Sequence, residues 1–466
     1  MRELLEKLYL FLPTVIVCFL LGRFLLPPEG RLLRVIMICL FSIALTLLTI
    51  FTFTRPSWRW GDIANFASET AHDKPDTAAY AFAWNNFILV DNFRDKQLIP
   101  DTENDSSYHL NEIITDRKKI ASLLGILQNH INDVDLIVCD IGFETPSPDD
   151  SLLAARIHSI AGSGKLILSV NQGIHTNPAF QFNDSLYGNI REQTNDKLFV
   201  SHYIVSDRNN SLPFTIYSKL HGATTGSGWF GQALLHEKTG DKGQAWIANP
   251  FLPEFRIMDE QLLWEGDEDS SSTLHKFFVG QIVAASGSAD FIQNLERRKR
   301  FHKKNIVLLG SFGSDGEDVH QTLYRQLHGP VILLNIIYAL ERGQHRITWG
   351  FVIILLIGYS LISWFLLYSA LGLQFINGEE RERSRLSLPL STKAYNIVYN
   401  AAQLIYEAIA SFFEFLLKEE PQFILLFVLV WFVHKATHRM INALSLLLYL
   451  GIVYICLKAV REKIKK

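Results

Sequence analysis

Apolar residues are spread unevenly along this chain. They gather in runs at Tyr9–Leu26, Val35–Phe53, Ile347–Leu367, Phe423–Val433 and Ile441–Val460, and thin out between 55 and 345. A helix needs roughly 20 apolar residues to cross a bilayer, so these runs predict transmembrane segments. Phe423–Val433 is short for that and requires a thinned bilayer or polar ends. Segment 394–418 has a different pattern. Asn396, Asn400, Gln403, Glu407, Ser411, Glu414 and Lys418 recur every three or four residues, which sets one polar stripe on an otherwise apolar helix. Such a helix suits a membrane interface or packing on other helices.

Between 55 and 345 the pattern alternates between short continuous apolar runs and helical periodicity. Phe87–Val90, Asp135–Phe143, Lys165–Val170 and Ile306–Leu309 read as strands, with Phe199–Val205 and Ala245–Ala248 as further ones. Asp116–Ile131 reads as a helix with Ile120, Leu123, Leu124, Leu127 and Ile131 on one face, and Asp150–Ile160 and Pro213–Leu220 as two more. Gly329-Pro330 opens an apolar helix over Val331–Leu340, with Pro placed where its missing N–H has no partner to lose. Apolar strands alternating with helices predict a mostly parallel or mixed sheet covered on both faces. The expected fold is an α/β domain flanked by transmembrane helices, two before it and about three after. The expected division is 1–54 (two spans), 55–345 (the α/β domain), 346–370 (a span), 371–420 (a cytoplasmic segment with the amphipathic helix) and 421–466 (two spans and a basic tail).

Charge adds orientation. Arg23, Arg31 and Arg34 cluster around the turn after the first run, and Arg461, Lys463, Lys465 and Lys466 follow the last. Both place the α/β domain outside and the tail in the cytoplasm of a multi-pass membrane protein. The first run is followed by Arg23 and Pro27-Pro28 rather than small residues, so no cleavable signal is expected. A net charge of −3 and a pI near 6.6 give no reason to expect nucleic acid as a partner. The acidic loop Glu265–Ser272 and the basic run Glu296–Lys304 read as solvated surface before binding patches. The four cysteines offer no evident disulfide in the central domain.

Candidate chemistry gathers where strands end. Asp91 and Asp140 close two strands, and Asp315, Asp318 and His320 sit in the loop after the last. Ligands of parallel sheets bind at the carboxyl ends of strands, so these residues form a candidate ligand-binding group. The plainer reading is that Asp91 and Asp140 cap loops or helix ends, that Asp149-Asp150 starts a helix, and that His320 is a hydrogen-bonded structural histidine. No glycine-rich phosphate loop, metal-ligand spacing or nucleophile elbow is present, so no catalytic residue, metal or cofactor is assigned.

The order of these pieces resembles a CHASE2 domain, a sensory module of bacterial receptors. The resemblance rests on FILVDNF at 87–93, DRKKIASLLGIL at 116–127, DLIVCDIGF at 135–143, DSLLA at 150–154, GQIV at 280–283, IVLLGSFGSDGEDVHQT at 306–322 and GPVILLNIIYALERG at 329–343. It implies a multi-pass protein of a bacterial inner membrane whose domain senses an extracytoplasmic stimulus and relays it through the spans that follow. The chain departs from the pattern in carrying two runs before the domain and only six residues after the last, with no output domain among them. The leading expectation is therefore a membrane sensor or regulator acting through a separate protein partner in the membrane or cytoplasm. It would contact the lipid bilayer and a small unidentified ligand, and could form a homo-oligomer. The alternatives are a membrane-anchored hydrolase using Asp91, Asp140, Asp318 and His320, or a scaffold subunit docking through 394–418. Coupling is expected through the helix at 331–340, continuing past Gly343 into the run from Ile347 as one rigid rod.

Overall fold

The computed structural model describes residues 31–54, 77–100, 111–171, 177–190, 192–195, 199–203, 211–228, 231–236, 245–247, 256–257, 276–313, 318–322, 326–370 and 428–429. The chain divides into two compact units, one of Glu69–Arg346 and one joining Met1–Ser68 with Ile347–Lys466. The expected spans over Tyr9–Leu26 and Ile441–Val460, nearly all of Phe423–Val433, the polar-striped segment 394–418 and the acidic loop Glu265–Ser272 lie outside the described residues.

Helix α1 (Arg31–Thr54) belongs to the second of these units. Its Ser42, Thr46 and Thr49 are buried, and their hydroxyls donate to the carbonyls of Ile38, Ser42 and Leu45 at 2.6–2.8 Å. These back-bonds satisfy the hydroxyls inside an apolar contact.

The Glu69–Arg346 unit opens with α2 (Thr77–Asn86), which runs into strand β1 (Phe87–Asp91). A hairpin of β2 (Lys96–Pro100) and β3 (Asn111–Thr115) precedes α3 (Arg117–Asn129), and β4 (Leu136–Cys139), α4 (Asp150–Ala161) and β5 (Leu166–Asn171) follow. The carboxylate of Asp116 caps α3 by accepting from the Lys119 N–H, which supplies one of the partners a helix start lacks. Then come β6 (Tyr187–Ile190), the pair β7 (Glu192–Asn195) and β8 (Phe199–Tyr203), α5 (Leu212–His221), and an antiparallel meander of β9 (Thr224–Gly228), β10 (Gly231–His236) and β11 (Ala245–Ile247). Strand β12 (Lys276–Phe278) leads through α6 (Val279–Val283) and α7 (Ala285–Arg300) to β13 (Ile306–Gly310). A short hairpin of β14 (Val319–Gln321) and β15 (Gln326–His328) hands over to α8 (Gly329–Glu341).

The main sheet has six strands in the order β12-β1-β13-β4-β5-β6, and every pair in it is parallel. Strands β1, β4 and β13 are buried at every residue, as continuous apolar runs require when both faces are covered. One face carries α3, α4, α6 and α7 over a core of Ile88, Val90, Ile137, Cys139, Val307 and Leu309. The other carries α8, packed with α2 and α5. Helix α8 is buried at every position from Pro330 to Leu340, which matches its apolar residues on all sides. The expected continuation past Gly343 is corrected. The helix ends at Glu341, the Gln344 N–H donates back to the Ala339 carbonyl at 3.0 Å, and Gly343 takes φ 71°. That is a left-handed glycine stop.

Helix α9 (Trp349–Ala370) returns to the other unit and packs on α1. The Tyr359 and Thr49 hydroxyls share a 2.7 Å hydrogen bond, and Ser360 and Ser363 are buried with them. Among the described residues no helix is long and apolar enough to cross a membrane. The expected flanking transmembrane helices at Val35–Phe53 and 346–370 are therefore corrected, and the multi-pass inner-membrane localisation built on them is not supported. Described apolar residues of these two segments, Ile38 and Trp364 among them, serve a helix–helix contact seamed with hydroxyls, although Leu32, Ile36, Leu40 and Leu47 stay exposed on α1.

Candidate ligand site at the carboxyl edge of the sheet

Register lines up Asp91, Gly310 and Asp140 across the ends of β1, β13 and β4. Asp91 pairs with Gly310, and the Asp140 N–H donates to the Leu309 carbonyl at 2.8 Å. Strands lie about 4.8 Å apart, so the two aspartates begin roughly 10 Å from each other. Alternation turns both toward the face of α8, while Cys139 faces α3 and α4. Gly310 is required here, because a Cβ on it would lie 2.6 Å from Pro330 Cγ, against the first turn of α8.

Four of the expected site residues, Asp91, Asp140, Asp318 and His320, lie among the described residues. Asp91 is fully buried. Its Oδ1 accepts from the N–H groups of Phe93 (2.9 Å) and Phe312 (3.1 Å), and its Oδ2 makes a 3.1 Å ion pair with Lys276 Nζ. This carboxylate ties the loops after β1 and β13 to the edge strand β12, as the capping reading holds. Asp318 and His320 form a 3.0 Å pair, both about one-third exposed. The Asp318 side chain lies where a Cβ on Gly329 would stand, 2.5 Å from Oδ2, and so guards the start of α8. Asp140 is half-buried beside Gly310 on the same side. Asp315 lies outside the described residues. Among the described residues no group of three or more His, Cys, Asp or Glu could hold a metal ion.

The opposite face of this edge holds a cluster that pattern reading assigned no role. Arg117, the first residue of α3, is 1% exposed, and Asp150, the first of α4, is 6% exposed. Arg117 Nε approaches Asp150 Oδ1 at 3.4 Å without hydrogen-bond alignment, and Nη2 reaches the Thr145 carbonyl at 3.4 Å. Among the described residues, Nε and Nη1 of Arg117 and Oδ1 of Asp150 have no hydrogen-bond partner, Nε and Oδ1 meeting only as the ion pair. The other carboxylate oxygen is satisfied, accepting from the Ser147 N–H at 2.7 Å and from Asn177 Nδ2 at 2.8 Å. Arg117 also covers one face of Phe143 at 4.5 Å, and Phe180 stacks on Phe143 with centroids 4.9 Å apart. Burial pulls the Arg117 pKa down, against the raising pull of Asp150, Cys139 and Glu144. Burial likewise pushes the Cys139 thiol up to about 12, keeping it neutral.

Sequence offered only partial clues to this cluster. Arg117 lies inside the quoted DRKKIASLLGIL segment, and Asp150 was read with Asp149 as a helix start. Asp149 does stand at the cap position but makes no side-chain capping bond. A third buried carboxylate, Asp95, accepts from Lys119 Nζ at 2.8 Å and from the Gly280 N–H at 3.0 Å, binding α3 to α6.

Comparison with protein-family models, curated proteins and solved structures returned no match. The CHASE2 resemblance accordingly rests on the quoted segments alone.

Proposed function

We propose that the Glu69–Arg346 unit is a sensory or regulatory domain, binding a small polar ligand at the carboxyl edge of its sheet and reporting to a separate protein. The observation that carries this reading is the incomplete Arg117–Asp150 pair. Burying a guanidinium whose Nε and Nη1 make no aligned hydrogen bond, in a 3.4 Å ion pair with a buried carboxylate oxygen that accepts none, is costly. Such a group gains stability when a ligand or a closer approach of α3 and α4 completes it. Two arrangements of one element, differing in affinity for a ligand, are what a sensor requires. The CHASE2 resemblance supports the same role, and it places this pair within the segments that carry the likeness.

The test uses the purified full chain and a panel of small carboxylates, phosphates and α-amino acids, read by thermal stability and by amide hydrogen exchange. One compound should raise the unfolding temperature and protect amides of 117–129 and 150–161, and should be recovered unchanged. Asp150→Asn should abolish the response while the chain stays folded. Conversion of the compound to a product would replace the sensor with the enzyme alternative.

A further inference from the structure

The amino edge of the sheet carries a surface that the ligand site does not use. Helix α7 ends there in Arg297, Arg298, Lys299 and Arg300, and the chain turns through Phe301, His302, Lys303 and Lys304 into β13. Arg298 is structural. It is 6% exposed and donates to Asn305 Oδ1 (3.1 Å) and to the carbonyls of Trp84 and Lys304 (2.8 Å each). Its neighbours point outward. Arg297, Lys299, Arg300, His302 and Lys304 are exposed, and Lys303 rests over the Trp84 ring at 4.3 Å.

Phe301 is 66% exposed in the middle of the cations. His302 takes φ 55° as the left-handed stop of α7, with its own N–H and that of Lys303 donating to the carbonyls of Lys299 and Arg298 at 3.0 Å each. Lys303 has its pKa drawn below the ordinary lysine value by burial and then by the charges of Arg298 and Arg297. Basic residues at a helix C-terminus complement the helix dipole, which accounts for some of the charge. Neither the dipole nor the cap accounts for an exposed ring set among exposed cations.

We propose that this edge, with Phe301 at its centre and Arg297, Arg300 and Lys304 around it, docks an acidic polypeptide that presents an apolar pocket or side chain for the ring. Charge complementarity selects the chemistry. The patch is of mixed sign, since Glu296 pairs with Arg300 at 3.7 Å and Asp133 with Lys299 at 2.8 Å. An unbroken phosphate chain meets those carboxylates as repulsion, whereas a patterned protein surface can place its charges between them. The surface stands apart from the sensing site, because neither Arg117 nor Asp150 lies at this edge.

The test measures fluorescence anisotropy of the full chain with a labelled peptide of interspersed glutamate and leucine. The comparison probes are a glutamate-only peptide, single-stranded oligothymidylate and phosphatidylglycerol vesicles. The glutamate–leucine peptide should bind saturably and tighter than the other probes, more weakly as salt rises. The double variant Arg297→Glu/Arg300→Glu should weaken binding at least about tenfold, and Phe301→Ser about fivefold with the salt dependence retained. Phe301→Ser should keep the wild-type unfolding midpoint, and the double variant, which loses the Glu296–Arg300 pair and the favourable helix-dipole contacts, should lower it by only a few degrees and stay folded; both midpoints are measured alongside. Absence of saturable binding, equal or tighter binding of the oligonucleotide, the vesicles or the glutamate-only peptide, or indifference to Phe301→Ser at an unchanged midpoint overturns the proposal.

Discussion

At the scale of single residues, buried polar groups decide more than apolar ones. Asn335 is fully buried on α8. Its Oδ1 accepts from the N–H groups of Arg256 and Ile257 at 2.7 Å each, and its Nδ2 donates to the carbonyls of Ile257 (2.8 Å) and Val331 (2.9 Å). Asn335→Ala strands three backbone groups of 256–257, so a loss of about 3 kcal/mol or more is expected in urea unfolding. Cys139 gives a pH signature. Burial pushes its thiol up to about 12 in the folded state, against an ordinary 9.0. The folded state therefore holds a proton that the unfolded chain releases between those values. The contribution of this thiol to stability is constant below about pH 9 and falls by about 1.4 kcal/mol per pH unit between about 9 and 12. Cys139→Ala should flatten that alkaline limb relative to wild type, and the wild-type thiol should resist alkylation until the chain unfolds. Asn335 and Arg117 could not be singled out from sequence, because their partners lie far away along the chain. Asp91 could be, because a carboxylate closing an apolar strand has few plain roles.

At the scale of elements, periodicity located most of the central domain. Val331–Leu340 is apolar all round and lies buried on every side. Leu136–Cys139 is a continuous apolar run and is covered on both faces. What periodicity could not supply was the identity of the covering surface. Val35–Phe53 and Ile347–Leu367 read as bilayer-crossing runs, yet the hydroxyls of Thr49 and Tyr359 meet between α1 and α9. An apolar stretch states that something covers it and leaves open whether that is lipid or another helix. The stop of α8 shows the complementary limit. Glycine in a helix costs only about 1 kcal/mol, so Gly343 alone did not forbid a continuous rod. Its φ of 71° makes it a stop. Gly343→Ala should lower stability by about 1 kcal/mol, read as a shifted denaturant midpoint at unchanged slope.

At the scale of the whole molecule, the Glu69–Arg346 unit owns its sheet, both helical layers and its buried ion pairs. Expressed alone, residues 69–346 should unfold in one cooperative transition at the midpoint that the same unit shows in the full chain. A broad or probe-dependent transition would mean that this unit borrows stability from the rest. Strand order also has a consequence for the moment of birth. Strand β13 lies between β1 and β4, so those two earlier strands never touch each other. The ribosome delivers β1 first and β13 roughly two hundred residues later, some tens of seconds at about 5–20 residues per second. Once β4 is made, one backbone edge of each of these two strands waits with unpaired N–H and C=O groups for a neighbour that has not been made. Truncation just before Ile306 should therefore leave the nascent chain bound to chaperones that hold such edges, and the full-length chain should be released from them.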